Sequence, residues 1–138
     1  MKVKIENRIT PNNIFYLEEN QIFVFGSNLS GIHGKGAAKT ALKWGAKYGK
    51  YKGLQGKTYA IPTKDKNIKR SLTEKEIIPF IDEFIDFAKM NDNLTFLVTE
   101  VGCGLAGMNP DKVAPLFKYA MYVPNIWLPE SFWNVIKP

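Results

Sequence analysis

Two glycine-rich segments of the chain each follow a short apolar run and lead into a helical pattern. The first spans residues 26–36, and the second, TEVGCGLAGMNP, spans residues 99–110. Glycine lacks a Cβ, so backbone N–H groups in such segments can approach a phosphate closely. Two such segments suit a ligand with two phosphates. The alternative is that the glycines only allow the chain to turn tightly. The glycines concerned are Gly31, Gly34, Gly36, Gly102, Gly104 and Gly107.

The standard nucleotide-binding motifs do not fit these segments. A P-loop requires Gly-Lys followed directly by Ser or Thr, whereas Lys35 is followed by Gly36. The dinucleotide fingerprint requires Gly or Ala at the position that Lys39 occupies. The spacing therefore disfavours both an NTPase and a nicotinamide-dependent dehydrogenase.

His33 and Cys103 lie on the two glycine-rich segments, where they could form a cysteine–histidine nucleophilic pair. The interpretation we favour is that His33 contacts a ligand or lines its loop, while Cys103 fills a small space beside a phosphate. One cysteine excludes an internal disulfide, and the sequence has no Cys/His cluster with zinc spacing. We therefore expect no metal, no cofactor and a reducing environment.

The chain is basic, with 19 Lys and Arg against 13 Asp and Glu and a formal net charge of +6. Such a charge favours an anionic partner, which could be a nucleotide, a nucleic acid or an acidic surface. The alternative function is thus a basic nucleic-acid-binding domain that uses Lys39, Lys43 and Lys47 on the first helix. A solvated helix face has the same pattern. Much of the excess lies at Lys35, Lys39, Lys43, Lys47, Lys50, Lys52 and Lys57.

The 138 residues, 45% of them apolar and 23% charged, are typical of one globular domain, which we predict to span residues 1–138. The N-terminus has no apolar signal region, and no run approaches the roughly 20 apolar residues of a membrane span. We therefore expect a soluble, unprocessed, cytoplasmic protein with no membrane partner.

Apolar periodicity predicts that short strands alternate with helices. Strands are predicted at residues 1–5, 22–25, 58–61 (ended by Pro62), 94–98 and 125–128. Helices are predicted at residues 36–48 (stopped by Gly49), from a capping box at Thr73 and Glu76 to about Met90, and from Asn109 onward. A short tail with Phe132 and Trp133 follows, as core or as contact surface.

This alternation predicts an α/β fold with three layers, in which helices cover both faces of a mostly parallel, mixed sheet. Ligands of such sheets bind beyond the carboxyl ends of the strands. We expect a site where three segments leave strands at that edge, residues 26–36, 62–68 and 99–108.

The segment GSNLSGIHGKGAAKTAL resembles the first ligand loop of macro domains. TEVGCGLAGMNPDKVAPLF is similar to their second, phosphate-binding loop, and YAIPTKD is similar to the strand and loop between them. The likeness is greatest to small phage-type macro-like proteins with the signature FGSNL.G.HG.GAA. The ADP-ribose-protein glycohydrolase branch, whose second loop begins Ile-Gly-Cys-Gly-Leu, comes next. The resemblance spans residues 22 to about 128 and implies a macro-like α/β/α fold.

The resemblance implies an ADP-ribose-type ligand, with its diphosphate between the two glycine-rich segments. The distal ribose would lie near Asn28, whose amide both donates and accepts, although an Asx-turn is the alternative role for Asn28. Glu18 or Glu19 matches only loosely the acid that often binds the adenine. The implied ligand-binding residues are Gly26, Ser27, Asn28, Leu29, His33, Gly34, Lys35, Gly36, Thr63, Gly102, Cys103, Gly104, Leu105, Ala106 and Gly107.

The resemblance also implies a catalytic role for Lys64, because a lysine at this point attacks the anomeric carbon of the distal ribose in the glycohydrolase branch. Such a lysine has to be partly deprotonated. That branch carries an aspartate as general acid/base where this chain has Ala106, so Asp65 or Glu100 would have to replace it. Binding of an ADP-ribosyl group is therefore predicted, and hydrolysis of its linkage is left open.

The likeness to phage-type proteins implies a biological setting as well. The partner would be ADP-ribose, a related NAD-derived nucleotide or an ADP-ribosylated macromolecule. The protein would act in the cytoplasm of a bacterial host cell, where it would counter ADP-ribosylation or sequester a defence nucleotide.

Overall fold

A six-stranded sheet forms the centre of the computed structural model, which describes residues 5–104 and 106–137. Its strands are β1 (Ile9–Thr10), β2 (Gln21–Asn28), β3 (Gly53–Gln55), β4 (Thr58–Lys64), β5 (Thr95–Val98) and β6 (Ile126–Pro129). The strand order is β1-β6-β5-β2-β4-β3. Every neighbouring pair is parallel except β3 with β4. The predicted α/β class and mostly parallel sheet are confirmed.

Helices cover both faces of this sheet. They are α1 (Gly36–Ala41), α2 (Glu74–Met90), α3 (Pro110–Val113) and α4 (Glu130–Ile136), with 3-10 segments at Leu42–Trp44 and Ala114–Tyr122. Side chains alternate along a strand, so Phe23 and Phe25 of β2 pack towards α1 while Ile22 and Val24 pack towards α2. The architecture is consistent with three layers, as expected.

Strand β2 lies where the winding of the sheet reverses. From β2 the chain passes through α1 and β3 to β4 on one side of β2. From β4 it passes through α2, on the opposite face, to β5 on the other side of β2. The two connections diverge at such a point and leave a crevice beyond the carboxyl end of the strand.

The capping box predicted for α2 is present. The Thr73 hydroxyl accepts a hydrogen bond from the Glu76 N–H at 3.2 Å, and the Glu76 carboxylate accepts one from the Thr73 N–H at 2.9 Å. Arg70 donates to the same carboxylate at 2.9 Å. These bonds, that of Arg70 first and those of Thr73 next, lower the pKa of Glu76 to about 2.

We expect acid to weaken the fold partly through Glu76. Its folded-state pKa lies below the ordinary value of 4.5, so this stabilisation is present above that value and is lost as the pH falls towards about 2. Urea midpoints measured from about pH 6 to about pH 2.5 should fall less steeply in Glu76→Gln than in wild type. Glu74→Gln, in the same helical turn, is the matched control and should follow the wild type. Parallel profiles for Glu76→Gln and wild type would contradict this role.

The first helix is shorter than the predicted 36–48. Helix α1 and the 3-10 segment after it end at Gly45, whose φ of 110° is left-handed, rather than at Gly49. A Cβ on Gly45 would lie 2.9 Å from the Gly56 Cα, so only glycine allows the two backbones to approach. Lys47 therefore lies beyond the helix, and the predicted face of Lys39, Lys43 and Lys47 is wrong at its last member.

Three further details of the strands differ from the prediction. Pro62 does not end β4 but lies within it, because β3 pairs with β4 only as far as Ala60 and leaves that side unpaired. Strands β1 and β3 were not predicted, since two or three residues show no periodicity. Of the strand predicted at 1–5, residues 1–4 lie outside the described residues.

The aromatic tail belongs to the core, which settles the alternative left open above. Phe132 and Trp133 of α4 are 0% and 2% exposed and pack with the helices on the α2 face. The Trp133 indole N–H donates to the Arg8 carbonyl at 2.8 Å. The Arg8 side chain is itself buried, and its guanidinium donates to the Ala120 and Met121 carbonyls at the end of the long 3-10 segment and to the Val123 carbonyl just after it. Arg8 thus connects the first and the last described parts of the chain through hydrogen bonds.

Candidate functional site

The three strand-end segments meet around one cleft of about 680 Å³ at the carboxyl ends of β2, β4 and β5. Strand β2 lies between the other two, so the cleft occupies the crevice where the winding reverses. Eleven of the residues singled out in the sequence line it. They are Gly26, Ser27, Asn28, Gly34, Lys35, Gly36, Thr63, Lys64, Gly102, Gly104 and Ala106.

Six other predicted site residues do not appear among these lining residues. Leu105 lies outside the described residues. Leu29 packs against the core, and Gly107 closes a turn by donating from its N–H to the Gly104 carbonyl at 2.9 Å. His33 and Asp65 have hydrogen-bond partners that are described below, and Cys103 lines the second cleft that adjoins this one.

The sequence analysis missed several lining residues. Ala37 and Ala38 begin α1, and only their position after a glycine pointed to them. Ile68 has a φ of 58°, a conformation that is a true outlier for a β-branched residue. No local motif predicts it, because the turn from Asp65 to Arg70 imposes the conformation on the backbone. Ile32, Thr99 and Val101 were also missed, and Glu100, named above as a possible replacement for the aspartate, completes the lining.

Asn28 organises the first loop. Its Oδ1 accepts from the N–H groups of Ser30 at 3.2 Å and Ile32 at 3.1 Å, and its Nδ2 donates to the Ile32 carbonyl at 2.8 Å. This is the Asx-turn that the sequence analysis held as the alternative. An amide nitrogen has two hydrogens, so one N–H of Asn28 still remains for a ligand in the cleft.

The first loop presents backbone donors at the start of α1. The Lys39 N–H, bonded to the Lys35 carbonyl at 3.3 Å, is the first to make a helical hydrogen bond. The N–H groups of Gly36, Ala37 and Ala38 precede it and therefore need acceptors outside the helix. All three residues line the cleft, beside the exposed Lys35.

Two glycines allow the floor of the cleft to close. A Cβ on Gly26 would lie 3.1 Å from the Thr63 hydroxyl and 3.3 Å from the Gly102 nitrogen. Gly102 has a φ of 78°, and a Cβ added there would overlap the end of the Met108 side chain. The Met108 N–H donates to the Gly102 carbonyl at 2.8 Å, so the second loop folds back over this glycine.

Hydrogen bonds between the loops tie the three segments together. The Leu29 N–H donates to the Lys64 carbonyl at 3.0 Å, and the Thr63 hydroxyl donates to the Ser27 carbonyl at 3.2 Å. The Ser71 hydroxyl, just after the middle segment, donates to the Ala106 carbonyl of the second glycine-rich loop. The loops therefore form one connected rim.

Lys64 is the half-buried lysine that lines the cleft, opposite Asn28 where a bulge shifts the β2–β4 register. Asp65, by contrast, holds the next turn, because its carboxylate accepts from the N–H groups of Lys69 at 2.9 Å and Arg70 at 3.4 Å. The Lys69 bond first, and then those of Arg70, lower the pKa of Asp65. Asp65 is therefore ionised at neutral pH and has no proton to donate.

Glu100 is the acidic residue that lines the cleft within the described residues. One of its carboxylate oxygens accepts from the Ser131 hydroxyl at 2.7 Å. Ala106 lines the cleft too, and its methyl group cannot transfer a proton. Of the two substitutes considered for the missing aspartate, Glu100 has the position and Asp65 does not.

His33 and Cys103 have separate environments. His33 is completely buried, its Nε2 donates to the Lys47 carbonyl at 2.8 Å, and its ring meets Phe25 edge to face. Burial, and secondly the charge of Glu100, raises the pKa of the Cys103 thiol to about 11. A thiol with that pKa is protonated at neutral pH, so Cys103 lacks the thiolate that a nucleophile needs.

A second cleft of about 560 Å³ adjoins the first and shares Ala37, Thr99, Glu100 and Gly104 with it. Thr10, at the end of β1, contributes to its wall, and its buried hydroxyl has no hydrogen-bond partner among the described residues. Phe15, which is 81% exposed, lies at its side. Only the sheet order brings β1 to this place, so the sequence offered no signal for this cleft.

Glu18 and Glu19 lie at the other end of β2. The Glu18 carbonyl accepts from the Gln21 N–H at 3.0 Å, in the turn that begins the strand. The cleft begins at Gly26, and the strand extends about 3.3 Å per residue, which separates the two by roughly 20 Å. Neither residue lines either cleft, and their loose assignment to an adenine stays a prediction.

Comparison with known proteins adds no relative to this picture. No protein-family model, no curated protein and no solved structure matches the chain. Among the described residues there is no helix long and apolar enough to cross a membrane. The same part of the chain contains no group of three or more His, Cys, Asp or Glu side chains that could hold a metal ion.

Proposed function

We propose that this protein binds ADP-ribose, or a related NAD-derived nucleotide or ADP-ribosyl group, as the resemblance of its loops to those of macro domains implies. The observation that carries the proposal is the meeting of the three strand-end segments around one cleft at the winding reversal of the sheet. The cleft volume lies within the range of about 300–1,000 Å³ usual for small-molecule sites.

The chemistry of the lining suits a diphosphate with sugars on either side. The N–H groups of 36–38 and the ammonium of Lys35 would hold phosphate oxygens, since amide donors and positive charge both favour anions. The remaining N–H of Asn28 would donate to a hydroxyl of the distal ribose. The base would enter the second cleft, where Thr10 has an unused hydroxyl and Phe15 an exposed ring.

The strained backbone at Ile68 supports the same location. Left-handed β-branched residues persist only where surrounding structure holds them, and such strain concentrates at ligand sites. Ile68 lines the cleft, in the turn that follows Lys64. The strain thus lies beside the lysine to which the resemblance assigns chemistry.

Hydrolysis of an ADP-ribosyl linkage is the possible extension of this binding. The amine of Lys64, as nucleophile, would form a bond to the anomeric carbon while the bond to the leaving group breaks and that group takes up a proton. Water would then form a bond to the same carbon while the bond to Lys64 breaks, which releases ADP-ribose and returns the proton to the amine. Glu100 is the candidate to exchange this proton, because its carboxylate lines the cleft, whereas that of Asp65 accepts hydrogen bonds in the turn beside it. Release of ADP-ribose from a labelled ADP-ribosylated protein or oligonucleotide by wild type, but not by Lys64→Ala, would establish the enzyme.

Calorimetric titration with ADP-ribose tests the binding. We expect saturable binding at one site in the wild type and its loss in Gly104→Val. A Cβ at Gly104 meets no atom within 4 Å, so the added side chain fills cleft space without disturbing the fold. Asn93→Val, in the exposed turn before β5, is the control and should bind as the wild type does. Absence of heat in the folded wild type would refute the proposal.

A further inference from the structure

The lysines of this protein are concentrated on the part of the chain that builds the cleft. Between Glu19 and Asp65 the sequence carries eight lysines and no acidic residue. Among the described residues, only Lys52 of these eight forms a salt bridge, with Glu83 at 3.2 Å. The other seven lysines therefore have no carboxylate within salt-bridge distance among the described residues, and two of them, Lys35 and Lys64, line the cleft.

Three of these lysines form a row that begins at the cleft. Lys35 lines the cleft, Lys39 follows four residues later in α1, and Lys43 follows after four more in the 3-10 segment. Lys35 precedes the helix in an extended conformation, and the chain then rises by about 1.5–2 Å per residue through Lys39 to Lys43. All three are exposed. The row therefore offers successive positive charges along a segment that starts at the cleft.

An exposed aromatic ring stands beside the start of this row. Tyr48 is 63% exposed, and its hydroxyl donates to the carbonyl of the buried His33 at 3.2 Å. This bond holds the ring next to the loop that carries Lys35. Proteins that bind single-stranded nucleic acids combine exposed aromatic rings, on which bases stack, with lysines that neutralise the phosphates.

We infer that the nucleotide group in the cleft is the end of a single-stranded nucleic acid, whose adjoining phosphates lie along the row Lys35, Lys39 and Lys43 with a base on Tyr48. This inference rests on the function proposed above and names its substrate class. An acidic protein would match the charges but would offer no unpaired base for Tyr48. A duplex would keep its bases stacked on one another.

The test compares three probes by fluorescence or calorimetry: free ADP-ribose, a short oligothymidylate, and the same oligothymidylate with ADP-ribose on its 5′ phosphate. In about 50 mM KCl the ADP-ribosylated strand should bind at least about tenfold more tightly than free ADP-ribose, and this advantage should shrink as salt rises. The unmodified strand should bind more weakly than the ADP-ribosylated one.

The double variant Lys39→Gln/Lys43→Gln tests whether the row contacts the phosphates of the strand. Each phosphate contact to a single strand contributes about 0.7 to the slope of log K against log salt, so the slope should decrease in magnitude by about 1.4. Free ADP-ribose should bind the variant as it binds the wild type. Lys75→Gln/Lys89→Gln removes the same charge from exposed positions of α2, on the opposite face, and should leave the slope unchanged.

Each other outcome overturns the inference in a distinguishable way. If free ADP-ribose binds but the attached strand adds no affinity, the proposed binding of ADP-ribose in the cleft remains supported, and the proposed binding of a single strand along the row is refuted. If the unmodified strand binds as tightly as the ADP-ribosylated one, its end does not enter the cleft. If polyglutamate competes as well as the oligonucleotide, the row binds acidic protein. If none of the three probes binds, the proposed function fails as well.

Discussion

Replacing Arg8 by alanine is expected to lower the free energy of unfolding by about 3–5 kcal/mol, a large part of the 5–15 kcal/mol typical of a domain. The Arg8 side chain is buried and lies 5.1 Å from the centre of the Trp133 ring. Its guanidinium donates at 2.9–3.0 Å to the carbonyls of Ala120, Met121, Val123 and Ile126.

The size of this effect follows from the carbonyls that alanine would leave behind. A hydrogen bond to a charged donor contributes about 1.5–3 kcal/mol, and each buried acceptor left without a donor loses its solvation as well. The carbonyls of Ala120 and Val123 would each keep one donor, the N–H groups of Val123 and Ile126 at 3.0 Å, but would lose the charged one. Arg8→Lys keeps the charge without the planar fork and should recover only part of the loss.

Urea denaturation followed by tryptophan fluorescence measures this loss. Lys118→Ala removes a positive charge from the exposed side of the same 3-10 segment and should change stability by less than about 0.5 kcal/mol. Equal midpoints for Arg8→Ala and Lys118→Ala would show that the guanidinium does not stabilise the fold.

A single methyl group at Gly31 is expected to destabilise the protein by about 2–4 kcal/mol and to abolish binding in the cleft. Gly31 has a φ of 70°, and a Cβ there would lie 2.6 Å from the Gly49 carbonyl carbon and 2.8 Å from the Lys50 nitrogen. Both are backbone atoms, so no side chain can turn aside. The first loop would have to separate from the 49–50 turn, to which the Gly31 carbonyl is bonded at 2.9 Å.

Gly34, three residues further on, provides the matched control. Its Cβ would meet only the Ile32 side chain, at 4.0 Å, so Gly34→Ala should change stability by less than about 0.5 kcal/mol. Thermal and urea unfolding of the two variants, with ADP-ribose calorimetry on each, make the comparison. Similar losses in both variants would mean that loop flexibility, rather than the contact with residues 49–50, decides the outcome.

Gly31 and Gly34 also show how much of the candidate site can be predicted from the sequence. Spacing grouped Gly31 with Gly34 as phosphate-binding glycines, but Gly31 is required for packing against a turn eighteen residues away. The same holds for Asn28, whose amide mainly closes its own loop. Residue type and spacing identified the loop correctly, whereas the role of each member depends on which remote backbone lies beside it.

Features whose partners are local were predicted well. The capping box at Thr73 and Glu76 and the start of α3 at Asn109 both involve residues within three positions of each other. The end of α1 was not predicted, because Gly45 is chosen over Gly49 by its contact with Gly56. Local capping rules cannot distinguish two glycines when a tertiary contact makes the choice.

By itself, the sequence determined the alternation of strands and helices, hence the parallel sheet and the edge where three loops leave it. It also determined the basic charge of the segment between Glu19 and Asp65. Only the tertiary structure decided that Lys64 and Glu100 line one cleft, while Asp65 and His33 are hydrogen bonded elsewhere and Cys103 lines the adjoining cleft. Periodicity reports which face of an element is buried, but contacts between distant segments determine which polar groups remain free.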